Sequence, residues 1–115
     1  TQLSRAKRRY VSALKLLCAL PGVPTVYYGD EVGMTGMADP WNRAPMNWQD
    51  GDQDLRGQVA RVLLKRRKNP MLQTGYLNVE APDDKTLLIT RYAVDGRDVF
   101  GDPLPGKPVT VKITR

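Results

Sequence analysis

The sequence contains no histidine and only one cysteine, Cys18, among its 115 residues. Without histidine, the side chain most often used as a general base and metal ligand near neutral pH is missing. A single cysteine excludes an internal disulfide, and with no histidine to join it a Cys/His zinc site is excluded as well. No metal and no cofactor is therefore expected. Cys18 lies in the apolar stretch Leu16-Leu17-Cys18-Ala19-Leu20. That setting suits a buried, inert thiol, and the sequence carries no disulfide framework of the secreted kind. No apolar run approaches the ~20 residues that cross a bilayer, and the charged first residues do not resemble a secretory signal. Together these shortages point to a cytoplasmic protein without membrane attachment.

What is present is ordinary globular composition, with 41% hydrophobic and 26% charged residues, enough for one domain or for a piece of a larger one. The net charge is +6, and much of it sits in Arg5-Ala6-Lys7-Arg8-Arg9 and Lys65-Arg66-Arg67-Lys68. Such runs can bind nucleic acid or anionic membranes. No aromatic residues interleave with them to stack on bases. They read instead as two solvated helix faces, and no nucleic-acid partner is expected.

Leu3, Tyr10, Leu14, Leu17 and Cys18 recur with the helical period while Arg5, Arg8, Ser12 and Lys15 fall opposite them, so residues 3–20 read as an amphipathic helix. Pro21-Gly22 ends it. Val23-Pro24-Thr25-Val26-Tyr27-Tyr28 is a β-branched and aromatic run bounded by turn residues, as expected of a strand buried on both faces. Residues 29–53 lack periodicity and are rich in glycine and proline; a loop of that length is usually functional. Asp54 to Lys68 forms a second helix with Leu55, Val59, Val62 and Leu63 as its stripe, an acidic start and a basic end, and Asn69-Pro70 stops it. Beyond Gly75, Thr86–Tyr92 and Val109–Ile113 read as strands, with Asp95-Gly96 as a hairpin turn.

A strand buried on both faces needs neighbours, and parallel neighbours need crossover connections. Nothing else before residue 75 supplies them. The expected fold is therefore α/β. Residues 1–75 would be the C-terminal slice of a (β/α)8 TIM barrel, whose usual length is about 250 residues, and residues 76–115 a short, incomplete antiparallel β-domain.

Three segments carry a family resemblance. Leu20 to Met34, with Val26-Tyr27-Tyr28-Gly29-Asp30-Glu31 at its centre, is similar to the eighth barrel strand of α-amylase-family glycoside hydrolases and the loop leaving it. Asp39-Pro40-Trp41-Asn42-Arg43 with Pro45-Met46-Asn47-Trp48 resembles that family's loop signature. Asn69-Pro70-Met71-Leu72-Gln73-Thr74-Gly75 resembles its closing segment. The matches cover roughly residues 10–92 and come nearest the neopullulanase, cyclomaltodextrinase and maltogenic amylase group. In a β/α barrel, function sits on the loops after the strands. The resemblance assigns Asp39 and Arg43 to glucose recognition, for which a carboxylate acceptor and a guanidinium donor are well suited. Trp41 is a further candidate for stacking on sugar, and Trp48 is expected to anchor the loop. Tyr27 and Tyr28 are expected in the core and at its rim, and Asp30 and Glu31 as braces of the loop.

Retaining glycosidases need two carboxyl groups about 5–5.5 Å apart across the bond. The resemblance places the family's nucleophile, acid/base and third carboxylate on segments that precede Thr1, so no residue here is assigned a catalytic role. The sequence thus reads as a fragment of an enzyme that acts on α-1,4- or α-1,6-linked glucans or maltooligosaccharides and is inactive alone, with its exposed barrel edges inviting self-association. Two other readings stay open: a free-standing carbohydrate-binding module and, with less support, a basic nucleic-acid-binding protein.

Overall fold

The computed structural model describes residues 2–36 and 43–114. Helix α1, Gln2–Ala19, buries Val11, Leu14, Cys18 and Ala19. Its buried stripe is rotated from the expected one, leaving Leu3 and Leu17 about half exposed. Helix α2, Gln53–Lys68, starts one residue earlier than the apolar pattern suggested. The reason is Asp52, whose carboxylate accepts the Leu55 N–H at 2.9 Å and caps the helix. The two helices pack through Val11, Leu14 and Cys18 on one side and Leu55 and Val59 on the other, with Tyr10, Val26, Val62 and Leu63 around this core.

Pro70 terminates α2 and opens α3, Pro70–Thr74, where its missing N–H is harmless at the first helical turn. The chain then enters an antiparallel sheet in the order β1-β2-β3, formed by Tyr76–Asp83, Thr86–Tyr92 and Val109–Thr114. Strand β1 was not foreseen. Its apolar residues Leu77 and Val79 are exposed, so no buried-face signal marked it. Cross-strand pairs fix the register: Tyr76 faces Tyr92 with ring centroids 5.8 Å apart, and Thr90 meets Thr110 at 3.1 Å between hydroxyls. The Asp95-Gly96 turn forms as expected, with φ of 53° and 71° and reciprocal Val94–Arg97 hydrogen bonds of 3.0 Å. It closes a small hairpin of its own, however, and does not join β2 to β3.

The strand expected at Val23–Tyr28 is absent. Residues 23–27 carry no regular secondary structure, Val23 is 89% exposed, and Tyr27 and Tyr28 stand half in solvent. Strand-forming side chains do not make a strand without a ladder partner, and the described sheet pairs elsewhere. Only Val26 reaches the helical core.

At the other end of the helices two arginines are buried, Arg66 at 7% and Arg91 at 1% exposure. Arg66 Nη1 donates to the carbonyls of Cys18, Leu20 and Leu72 at 2.7, 2.9 and 2.9 Å, and its Nη2 to Gly22. Arg91 donates to Ala19 and Leu72 at 3.0 and 2.6 Å and twice to Gly75. These carbonyls lie at or just beyond the C-terminal ends of α1 and α3, where helix dipoles concentrate negative partial charge. Burial lowers the pKa of Arg91 from its usual value, and the like charge of Arg66 adds to that. The expected solvated face at Lys65–Lys68 is thus corrected: Arg66 turns inward, where its guanidinium meets the carbonyls of Cys18, Leu20, Gly22 and Leu72. Cys18 is buried beside it, and burial raises its thiol pKa against the opposing charge of Arg66.

Candidate functional site

The segment between α1 and α2 begins at Gly29, whose N–H donates to Glu31 Oε2 at 3.0 Å. Residues Asp30–Val32 make one 3-10 turn. Val32 is 5% exposed, and its carbonyl accepts the Asp52 N–H at 2.8 Å, which draws the two ends of the loop together. Gly51 allows this approach: a Cβ there would lie 2.5 Å from Val32 Cβ, a clash that only movement of the backbone could relieve. Asp52 also meets Lys7 of α1 at 2.7 Å. The Leu55 N–H and then the Lys7 ammonium hold the Asp52 carboxyl below its ordinary pKa.

Within the loop, the Asn47 N–H donates to Met34 Sδ at 3.4 Å and Asn47 Oδ1 accepts the Asp50 N–H at 2.9 Å. The Tyr28 hydroxyl donates to Ala44 O at 2.8 Å. Burial raises the Asp30 pKa, and Glu31 adds to the rise. The Tyr10 pKa is raised by burial first and then by Asp30, Glu31 and Cys18, and its hydroxyl has no hydrogen-bond partner among the described residues. Beside the loop lies a hollow of about 290 Å³ lined by Glu31, Val32, Met46, Asn47, Trp48, Gln53 and Arg56. The groups on this surface are donors, acceptors and an indole. They suit binding of a neutral polyhydroxylated ring rather than bond cleavage.

No protein-family model matches the chain. Along 114 residues, 96% of this chain, it is 35% identical to an amylopullulanase from Thermoanaerobacter thermohydrosulfuricus, of which it covers 8%. By sequence, this chain is similar to enzymes of the α-amylase family along nearly its whole length. A cyclomaltodextrinase from a Bacillus species is 31% identical over 102 residues, 87% of this chain and 18% of that protein. The solved structure of a maltogenic amylase from S. marinus superposes with a TM-score of 0.70 at 33% identity, covering 75% of this chain and 13% of that one. The chain therefore spans less than a fifth of these α-amylase-family proteins.

Of the family's expected glucose-contacting residues, Asp39 and Trp41 lie outside the described residues. Arg43 is described and exposed, and it sits close enough to Tyr28 for its charge to oppose the rise in that phenol's pKa caused by burial and by Tyr27. Glu31 braces the loop at Gly29. Trp48 departs from expectation: it is 82% exposed and anchors nothing among the described residues. Short polar bonds at Asn47, Asp50 and Asp52 close the loop, so no aromatic plug is needed. Tyr27 and Tyr28 lie against each other with ring centroids 4.9 Å apart and planes tilted by 33°, and they are not in the core. Sequence reasoning missed Gln53 and Arg56, which α2 places beside Trp48. Their helical spacing of three was the available signal.

Proposed function

We propose that residues 1–75 supply the loop and last helix of a (β/α)8 glycoside-hydrolase barrel and, in Val23–Tyr28, the segment that becomes its last strand once neighbouring strands pair with it, and that residues 76–115 form part of a C-terminal β-domain. In that role the chain grips glucose units of an α-1,4- or α-1,6-linked glucan through Asp39, Trp41 and Arg43. Carboxylates elsewhere in the barrel cleave the bond with retention, so the chain alone does not.

The observation that carries this reading is the loop between Gly29 and Asp52. It bears the family's signature and is tied at both ends to the helices that would flank a final barrel strand. Two physical quantities support it. The accessible surface is 8342 Å², against about 6300 Å² for a globular monomer of this mass. The radius of gyration is 16.5 Å, against about 13 Å for a compact domain of this length. Both describe a surface that more protein would cover, and Val23–Tyr28, strand-like in composition but unpaired, is where neighbouring strands would add. The same exposure favours self-association through that edge.

The test has two arms. Purified chain incubated with maltotriose or a cyclodextrin is expected to release no reducing sugar. Maltotriose binding, followed at the Trp41 indole, is expected to weaken about fivefold in Asp39→Ala or Arg43→Ala, the loss of one net hydrogen bond. Turnover by the chain alone, or binding indifferent to both substitutions, overturns the proposal.

A further inference from the structure

Trp48 is the most exposed aromatic side chain of the described residues at 82%, yet its backbone is held in place. The preceding residue, Asn47, donates its N–H to Met34 Sδ and accepts the Asp50 N–H on its side chain. Four residues later, Asp52 is bonded to Val32, Leu55 and Lys7. An indole on a fixed support and open to solvent is a pre-formed stacking platform, because no side-chain packing must be undone before a ligand lands on it.

Beside the indole is the 290 Å³ hollow, and its chemistry is mixed and balanced. Glu31 offers a carboxylate whose Oε2 is already fixed by the Gly29 N–H. Arg56 offers guanidinium donors, and Asn47 and Gln53 offer amides that both donate and accept. One negative and one positive group leave no net charge to select an anion or a cation. An apolar face with a rim of interspersed donors and acceptors matches a hexopyranose ring, whose C–H face is apolar and whose hydroxyls project around its edge.

We infer that this hollow is a second pyranose-binding position, formed by Trp48, Glu31, Asn47, Gln53 and Arg56 and distinguished from the first by its residues, which include none of Asp39, Trp41 and Arg43. It rests on the proposed function only for the choice of an α-glucan as ligand. Helix α2 supplies Gln53 and Arg56 from its first turn, whose start is set by the Asp52 cap. Two positions on one loop would hold a longer glucan by adjacent rings and raise its affinity over that of a single glucose unit.

The two tryptophans give independent readouts, since each contributes one indole N–H resonance, assigned with Trp41→Phe and Trp48→Phe. Maltotriose titrated into the intact chain is expected to shift the Trp48 resonance saturably. That shift should persist in Asp39→Ala and weaken at least fivefold in Arg56→Ala, with the remaining spectrum unchanged to show that the fold is kept. Gln53→Ala provides a second variant should Arg56→Ala disturb the helix. A Trp48 resonance that ignores maltotriose while Trp41 responds overturns this inference and leaves the proposed function standing. A Trp48 response abolished by Asp39→Ala means one site and overturns it too. A Trp48 response with no effect of Asp39→Ala or Arg43→Ala on Trp41 supports the second position and removes the proposed role of the first.

Discussion

The two ends of the helical pair handle their difficult groups in opposite ways. At the α3 end, two guanidinium groups are buried with hardly any exposed surface, and every donor that points inward meets a carbonyl. At the loop end, Tyr27, Tyr28 and Trp48 leave large apolar surfaces in water. Burial of a charge is tolerable only when it is fully hydrogen-bonded, so the first end must be a finished structure. Exposed apolar surface carries no such requirement, so the second can remain open until a ligand or more protein covers it.

The largest effect should come from breaking the finished end. Arg91→Met removes donors from Gly75 and Ala19 and leaves their buried carbonyls unpaired, and we expect a loss on the order of 3 kcal/mol in denaturant unfolding. Arg66→Met should be comparable. Because both arginines donate to Leu72, each single variant leaves that carbonyl one donor and the double variant none, so the double loss should exceed the sum. Additive losses would show that the two act independently. Lysine at either position should not rescue, since an ammonium cannot form the fork.

A smaller effect should follow from changing the unpaired Val23–Tyr28 edge. Self-association seen by size-exclusion chromatography should weaken about tenfold in Val23→Lys, a change of about 1.4 kcal/mol, while unfolding stability stays within about 0.5 kcal/mol of the parent. A monomeric parent would remove the Val23–Tyr28 edge as a contact surface.

The smallest effect is electrostatic and sits where the two ends meet the loop. The carboxyl of Asp52 has its pKa lowered in the folded state, first by the Leu55 N–H and then by Lys7. Its contribution to stability is therefore present above the unfolded aspartate value of about 3.9 and is lost as pH falls through the lower folded value. Asp52→Asn keeps a capping oxygen and should flatten that acid limb in thermal unfolding scans between pH 5 and 2. An unchanged acid limb would show that other carboxylates control it. Asp30, with a raised pKa, has the opposite sign: its contribution is present below the unfolded value and lost as pH rises through the folded one.

Helices α1 and α2, the β2 and β3 strands and the Asp95-Gly96 turn were legible in the sequence, because each rests on a local signal, whereas the short α3 was not foreseen. Those signals are a period of 3.6, a run of β-branched residues, and a dipeptide that tolerates positive φ at both positions. Strand β1 was not, since both its faces remain largely exposed and no alternation separates core from solvent. The site was legible as a segment and not as a geometry. Asn47-Trp48 stood out in the signature, but nothing local placed Gln53 and Arg56 of α2 beside it.

By itself the amino-acid sequence determined where the two long helices run, where glycine and proline interrupt them, and which family the loop resembles. Only the tertiary structure decided that Arg66 and Arg91 lie inside, that Trp48 stands free, and that Val23–Tyr28 is not a strand. The physical reason is the same in each case. A side chain's burial and a strand's pairing depend on what the rest of the fold brings within a few ångströms, and no local run of residues carries that information.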